Sequence, residues 1–180
     1  MDETRPDATE SLPAMSSLTT PSPYRLPAGS GLADVWWKTG RVIAKATGAE
    51  TNGGFAQVEL IDPFGCAPPR HIHRHEDEAF YVLAGELVVF VGDEQMHLQT
   101  GDFAFVPRGV EHAYIVTSAE ARLLVTFSPA GFEELFLAVG VQADEAPEGG
   151  VLPPPDEMAR LCARYGADVT GPPPTAADIR

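Results

Sequence analysis

The 180-residue sequence lacks the features that would tie it to a membrane or to the secretory route. No apolar run approaches the roughly 18 residues that a membrane-spanning helix needs. The first ten residues, MDETRPDATE, contain no apolar segment of the kind that a secretory signal requires. Only two cysteines are present, Cys66 and Cys162, and we interpret both as thiols in a reducing compartment. These absences predict a cytoplasmic protein.

Positive charge is also scarce. Lysine and arginine number 12 against 26 aspartate and glutamate residues, which gives a net charge of −14. Such a polyanion is repelled by phosphate backbones and by anionic lipid surfaces. The negative net charge therefore predicts that neither nucleic acid nor a membrane surface is a partner of this protein.

Long uninterrupted helices are not expected, because 17 glycines and 17 prolines are spread along the chain. Residues 1–25 are rich in Ser, Thr, Pro and Asp, and they predict a mobile N-terminal arm. Residues 26–140 predict a β-barrel with a following helix. Residues 141–180 form a tail rich in proline and acidic residues, with one short helix expected at 155–165.

Short segments rich in Val, Ile, Phe and Tyr follow one another between residues 30 and 130. They predict nine strands, at 34–37, 41–45, 55–61, 78–83, 86–91, 95–98, 103–106, 112–116 and 122–127. Many short strands at this spacing are typical of an all-β sandwich or barrel. A helix at 131–139 places Phe132 and Phe136 on one apolar face, which we expect to lie against the wall or mouth of the barrel.

Histidine is concentrated at one point of the chain, in the segment His71-Ile72-His73-Arg74-His75. Alternate side chains of a strand share a face, so His71 and His73 lie side by side. By the same alternation, Glu78 and His112, each at the start of a strand, point towards the interior. Imidazole and carboxylate ligands suit a divalent Mn, Fe, Co, Ni, Cu or Zn ion. The alternative for the His-x-His pattern is a solvated polar loop beside an acidic patch.

Glycines at fixed distances frame these residues. The two spacings are Gly65-x5-His71-x-His73-x4-Glu78-x6-Gly85 and Gly101-x5-Pro107-x-Gly109-x2-His112, with 15 residues between them. They resemble the two signature motifs of the cupin superfamily, in the short arrangement of single-domain bacterial cupins. The resemblance implies a small antiparallel jelly-roll barrel. It also implies that His71, His73, Glu78 and His112 are the ligands of one divalent transition metal.

Finer features resemble the bacterial quercetinase-like group of cupins. They are the segments EAFYVLAGE at 78–86, SPAGFE at 128–133 and, in the tail, RYG at 164–166 followed by Pro172-Pro173. The resemblance implies an enzyme that opens a flavonol ring with dioxygen and releases carbon monoxide. It further implies that the metal binds the enolic hydroxyl of the substrate and that Glu78 takes its proton.

Two other classes of protein stay open at this stage. One is a non-oxidative, metal-dependent cyclase or isomerase of an aromatic or polyketide intermediate. The other is a non-catalytic cupin that binds a small molecule. Dependence of turnover on dioxygen separates the first from a dioxygenase, and absence of turnover identifies the second.

An aromatic wall is expected around the metal. The candidates for a substrate pocket are Phe55, Phe80, Phe103, Phe105, Tyr114, Phe132 and Phe136. Together they favour a small, flat aromatic ligand. Arg and Lys do not cluster on the inward alternation, so a neutral substrate is favoured over a polyanion.

Several neighbouring residues are predicted to lie outside the site. His75 is expected at the rim and His97 on the surface, while Glu76 and Asp77 are expected in a solvated turn. A homodimer is predicted, because a small barrel exposes edge strands that invite pairing. The pair Trp36-Trp37 offers apolar surface for such a contact, although these tryptophans fit equally well in the core.

Overall fold

The structure is a computed structural model that describes residues 20–37, 39–142 and 153–180. Most of the predicted N-terminal arm, and residues 143–152 of the predicted tail, lie outside these ranges. The strands are β1 (Ala33–Trp37), β2 (Gly40–Ala46), β3 (Ala56–Pro63), β4 (Arg70–His73), β5 (Asp77–Ala84), β6 (Glu86–Val91), β7 (Glu94–Gln99), β8 (Phe103–Val106), β9 (His112–Val116), β10 (Glu120–Ser128), β11 (Val141–Gln142) and β12 (Ala167–Gly171). The helices are α1 (Gly48–Thr51), α2 (Glu133–Val139) and α3 (Pro155–Arg164), with a short 3-10 helix at Ala176–Asp178.

Two antiparallel sheets enclose one apolar core. The seven-stranded sheet has the order β11-β1-β2-β3-β10-β5-β8, and the five-stranded sheet has the order β12-β4-β9-β6-β7. Alternate residues of each strand point inward, and Val82 and Leu123 from the larger sheet meet Leu87 and Val89 from the smaller one in the core. The protein is therefore an all-β antiparallel jelly roll, as the sequence predicts.

The predicted strands agree closely with those of the structure. All nine are present, and β6, β8 and β9 have the predicted bounds. Three further strands, β4, β11 and β12, are not among the nine. The first is only four residues long, with two histidines and an arginine, and β11 has two residues. Segments this short or this polar carry no apolar period that a sequence pattern could detect.

The two predicted helices are also present. Helix α2 begins at Glu133, two residues after its predicted start, and α3 ends at Arg164, one residue before its predicted end. Proline at the first position of α3 costs no hydrogen bond, because the N–H at that position has no partner within the helix. Both helices bury apolar side chains in the core between the sheets.

The C-terminal segment is part of the five-stranded sheet. Its strand β12 pairs with β4, so that Ala167 lies opposite His73 and Val169 opposite His71. Within the described residues, β4 otherwise pairs only with β9, through the single pair of His71 and His112. The sequence predicts a tail with one helix and no strand, and the structure shows that this tail supports the strand that carries two of the predicted metal ligands.

Two observations bear on the absences noted in the sequence. Within residues 20–37, 39–142 and 153–180, no helix has the length and apolarity needed to span a bilayer. Cys66 and Cys162 are both thiols, as predicted.

Candidate metal centre

The predicted ligands meet between the two sheets. His71 and His73 alternate on β4 and His112 opens β9, both in the five-stranded sheet, while Glu78 comes from β5 in the opposite sheet. One nitrogen or carboxylate oxygen from each of the four residues lies within 4.8 Å of the others, and all four side chains are buried. Strand alternation and register therefore bring together four donors that are up to 41 positions apart in the chain.

Main-chain carbonyls orient two of the three imidazoles. The Nδ1–H of His71 donates to the carbonyl oxygen of Pro69 at 2.8 Å, and the Nδ1–H of His112 donates to that of Val110 at 3.0 Å. A carbonyl oxygen only accepts, so Nδ1 carries the proton in both rings. The Nε2 atom of each ring is thereby left for the cluster.

Glu78 is the charged centre of this cluster. Its Oε2 lies 2.8 Å from Nε2 of His112 and 3.2 Å from Nε2 of His73. Burial by itself raises the pKa of Glu78, but the hydrogen bond of His112 and the charges of His112 and His73 outweigh burial and hold its pKa well below the usual range. The carboxylate is therefore ionised.

The pKa values of His71 and His73 are shifted in opposite directions. Burial, together with the charges of His112 and His73, lowers the pKa of His71 to about 3. Burial also opposes the charged form of His73, but the carboxylates of Glu76 and Glu78 raise its pKa to about 9. The difference arises because His73 faces two carboxylates, whereas His71 lies beside the other two imidazoles.

The ring nitrogens of His73 test whether a metal ion fits this site. Both are buried, and neither has a hydrogen-bond partner among the described residues. Buried polar atoms are nearly always bonded, so Nε2 of His73 suits a group that accepts a nitrogen lone pair, as a metal ion does. Three imidazoles and one carboxylate are a donor set that divalent transition metals take up in proteins. The residues present fit such an ion.

A cavity of about 70 Å³ opens beside His71 and Glu78. Its wall is mostly apolar and includes the side chains of Trp37, Leu60, Phe127, Phe132, Phe136 and Met158. Helix α3 of the tail closes one side through Met158 and Cys162. The cluster of four candidate ligands thus borders an apolar cavity, whose wall is formed by both sheets and the two longer helices.

Two further polar side chains reach this cavity. The hydroxyl of Tyr114 donates to Oδ2 of Asp62 at 2.6 Å, and both residues are buried. Burial and the charge of Asp62 raise the pKa of Tyr114 well above its usual value. Asp62 is not among the predicted site residues, although it continues the inward alternation of Val58 and Leu60 on β3. Extending that pattern by two residues would have found it.

The structure places three of the predicted pocket aromatics on the cavity wall, namely Tyr114, Phe132 and Phe136. Phe80 is buried, but it is absent from the wall and packs in the core against Tyr114, with 6.0 Å between the ring centroids. The prediction is therefore wrong for Phe80, because inward alternation places a residue in the core without deciding which part of the core it lines.

The prediction is also wrong for Phe103, Phe105 and Phe55. Their exposed fractions are 62%, 53% and 42%, and they lie outside the cavity. On β8 it is Ala104 and Val106 that point inward, with 3% and 1% exposed. All four residues of this strand are apolar, so the sequence contains no polar alternation to show which face is buried.

Other residues of the cavity wall were not predicted. Trp37 lines the cavity and meets Phe136 edge to face at a centroid distance of 5.9 Å. Met158 and Cys162 from α3 lie on the wall as well, together with Cys66. No local signal identifies Trp37, Met158 and Cys162, because β1 and α3 approach the ligand cluster only through the fold of the chain.

The prediction of a solvated turn is wrong for Glu76. This residue is 4% exposed, and its Oε2 lies 3.7 Å from Nδ1 of His73. Asp77, its neighbour, belongs to β5 and is half-buried. His97 is exposed on β7, as predicted, and His75 is exposed beyond the end of β4.

Comparison with known proteins agrees with this geometry. The profile of the cupin domain, Cupin_2, matches residues 57–127. The chain is 28% identical over 156 residues to the quercetin 2,3-dioxygenase of Bacillus subtilis strain 168, which covers 85% of this chain and 44% of that protein. It is 30% identical over 97 residues to the quercetin 2,3-dioxygenase of Aspergillus japonicus, covering 51% of this chain and 27% of that one. The chain therefore spans less than half the length of these two relatives.

Solved structures agree on the fold. An RmlC-like cupin from Shewanella frigidimarina NCIMB 400 superposes with a TM-score of 0.53 at 24% identity, covering 62% of this chain and 96% of that chain. The protein is thus an antiparallel jelly roll with a buried cluster of three histidines and one carboxylate that could hold a metal ion. The chain belongs to the cupin superfamily, and its sequence is quercetinase-like.

Proposed function

We propose that this protein is a metal-dependent dioxygenase that cleaves a flavonol-like or other aromatic enol with dioxygen. The observation that carries the proposal is the position of the His71, His73, Glu78 and His112 cluster, which borders an apolar cavity through His71 and Glu78. Similarity to two quercetin 2,3-dioxygenases supports the choice of reaction.

In this proposal the four clustered residues hold one divalent ion of Mn, Fe, Co, Ni, Cu or Zn. Such an ion acts as a Lewis acid that favours the enolate form of an enolic hydroxyl. An ion that takes more than four ligands would keep coordination positions for small molecules beside these four residues, and such open positions separate catalytic from structural sites. The apolar wall of the cavity keeps bulk water from the reacting ring.

Glu78 is the base in this proposal. It is the one carboxylate of the cluster, it is ionised, and it lines the cavity. The carboxylate of Asp62 also reaches the cavity, but it already accepts a hydrogen bond from the hydroxyl of Tyr114. Glu78 therefore takes the proton of the enolic hydroxyl at a carboxylate oxygen, and the resulting enolate is the electron-rich species that dioxygen attacks. One dioxygen is consumed for each carbon monoxide released.

The cavity limits the size of the substrate. Its volume of about 70 Å³ is smaller than the roughly 300 Å³ or more of common small-molecule sites. A single-ring enol is therefore easier to admit than a three-ring flavonol, which enters only if side chains of the wall move. The aromatic wall, and the absence of Lys and Arg from the described residues that line the cavity, favour a flat, neutral ring.

A panel of three enols that share the 3-hydroxy-4-pyranone unit tests the proposal. Metal-loaded protein is mixed with maltol, 3-hydroxychromone or quercetin, and dioxygen uptake and carbon monoxide release are followed in air and under nitrogen. We expect turnover of at least one enol in air and none under nitrogen, with H97A matching the wild type. Equal product formation under nitrogen would identify a non-oxidative enzyme, and binding without turnover in either atmosphere would identify a binding protein.

We also propose a homodimer. The outer face of β5 and of the edge strand β8 exposes Tyr81, Leu83, Phe103 and Phe105, with exposed fractions of 44%, 37%, 62% and 53%. An apolar face at the edge of a sheet invites pairing with a second copy about a two-fold axis. A cytoplasmic location remains a prediction from the sequence.

A further inference from the structure

The three histidines of the cluster differ at the nitrogen that faces away from it. In His71 and His112, the Nδ1–H donates to a main-chain carbonyl two residues earlier in the chain. His73 has no such bond, and its Nδ1 faces Oε2 of Glu76 at 3.7 Å. Both atoms are buried and lack a hydrogen-bond partner within the described residues. Two buried polar groups that face each other in this way indicate a functional pair.

Two glycines lie close to the carboxylate of Glu76. A Cβ atom at Gly131, just before α2, would lie 3.0 Å from Oε1 of Glu76, which is tighter than most Cβ contacts. A Cβ atom at Gly166, just before β12, would lie at an ordinary contact distance of 3.7 Å from both carboxylate oxygens. Glycine at position 131 therefore leaves room for the buried side chain of Glu76.

Two arginines that interact electrostatically with Glu76 form ion pairs with other carboxylates. Arg74 donates to Asp168 at 2.8 Å, and Arg108 donates to Asp77 at 2.8 Å. Each of these ion pairs lies on the surface, with both side chains at least 30% exposed. The nitrogen that faces the buried Oε2 of Glu76 is therefore Nδ1 of His73 rather than an arginine nitrogen.

We propose that Glu76 is a positioning residue of the metal centre, and this rests on the metal site of the proposed function. Its carboxylate accepts the Nδ1–H of His73, which selects the tautomer whose Nε2 lone pair points into the cluster. A movement of about 0.8 Å brings the two atoms from 3.7 Å to normal hydrogen-bond distance. A carboxylate polarises an imidazole more strongly than a carbonyl does, so His73 is the most strongly donating of the three histidines.

Metal affinity and the spectrum of the bound metal test this role. Apo protein is titrated with Co²⁺ against a chelating dye, and the visible absorption of the Co²⁺ complex is recorded. E76Q keeps the size and one acceptor oxygen but removes the charge, so we expect Co²⁺ affinity to fall about 10- to 100-fold and the absorption bands to shift. The matched control is E134Q, because Glu134 is an exposed acid beside the same segment, and it should match the wild type.

The outcomes separate this inference from the proposed function. Wild-type affinity with an unchanged Co²⁺ spectrum in E76Q would overturn the role of Glu76 and leave the metal site intact. Failure of the wild-type protein to bind Co²⁺ would instead overturn the metal site itself. Should E76Q not fold, E76D decides the matter: affinity at least threefold below wild type supports the positioning role, and wild-type affinity contradicts it.

Discussion

The cluster of buried side chains between the two sheets, here called the inner cluster, and the outer edge of the seven-stranded sheet both invert the usual distribution of residues. In the inner cluster, His73, Glu78 and His112 are buried with 6% or less of their surface exposed. At the outer edge, Phe103 and Phe105 are more than half exposed. Buried polar groups and exposed aromatic groups both cost stability, so each is retained where it serves a function. The comparison supports the proposal of a metal centre in the first region and the proposal of a dimer contact in the second.

The largest expected effect comes from removing the inner histidines one at a time. In H71A, H73A and H112A we expect bound metal to fall well below one equivalent, because three ligands hold a labile ion poorly. Elemental analysis of purified protein measures this directly. H97A, which removes an exposed histidine of the same sheet, should retain its metal. Full metal occupancy in any two of these three variants would contradict the assignment of the histidines as metal ligands.

Replacing Glu78 tests whether the inner cluster does more than hold an ion. E78Q should retain part of its metal but lose turnover by a factor of about 100 or more, because an amide cannot take the enolic proton. Rates must be compared per bound metal, measured on the same sample. Near-wild-type turnover per bound metal in E78Q would show that the carboxylate takes no part in the reaction. It would favour a non-oxidative or binding role for the protein.

The outer edge is tested by changing its aromatic residues. The double variant F103S/F105S should convert a homodimer into a monomer of 19.2 kDa, because it removes the largest apolar side chains of the exposed face. Light scattering over a range of concentrations measures the mass. F64S is the matched control, since Phe64 is 68% exposed and lies between β3 and β4 rather than on the β5–β8 face. A wild-type protein that is monomeric throughout would contradict the proposal.

The smallest expected effect is a pH dependence of the inner cluster in protein stripped of metal. Because the pKa of His73 is raised from 6.5 to about 9, its stabilisation is complete below pH 6.5 and is lost as the pH rises towards 9. Because the pKa of His71 is lowered from 6.5 to about 3, its stabilisation is complete above pH 6.5 and is lost as the pH falls towards 3. Calorimetry of the protein, with a chelator in the buffer to keep it free of metal, should therefore give the highest Tm near pH 6.5.

Two variants test which histidine causes the fall in Tm on the alkaline side of the maximum and which causes the fall on the acid side. H73N should flatten the alkaline limb and H71N the acid limb, whereas H97N should change neither. A Tm that rises steadily between pH 5 and pH 9 in the wild-type protein would show that the two buried histidines do not titrate in these directions.

Local patterns in the sequence predict most of the fold of this protein and the four residues of its inner cluster. Strand alternation is a property of neighbouring residues, so His71 and His73 on one face, and Glu78 in step with Phe80, follow from the sequence alone. The glycine spacing around them carried the resemblance to cupins. The predicted direction of side chains was wrong where a strand has no alternation of polar and apolar residues. In β8 all four residues are apolar, so the sequence does not show which side faces the core.

Only the tertiary structure decided what surrounds the ligands. The sequence predicts that Glu76 lies in a solvated turn, yet it is buried, and residues 131 and 166, which precede α2 and β12, lie against it. Likewise, Trp37 and Met158 reach one cavity from opposite ends of the chain. Side-chain direction within a strand depends on the adjacent peptide units, whereas burial depends on every segment that packs nearby. The sequence therefore identifies the donors, and long-range packing determines the second carboxylate beside them and the shape of the cavity.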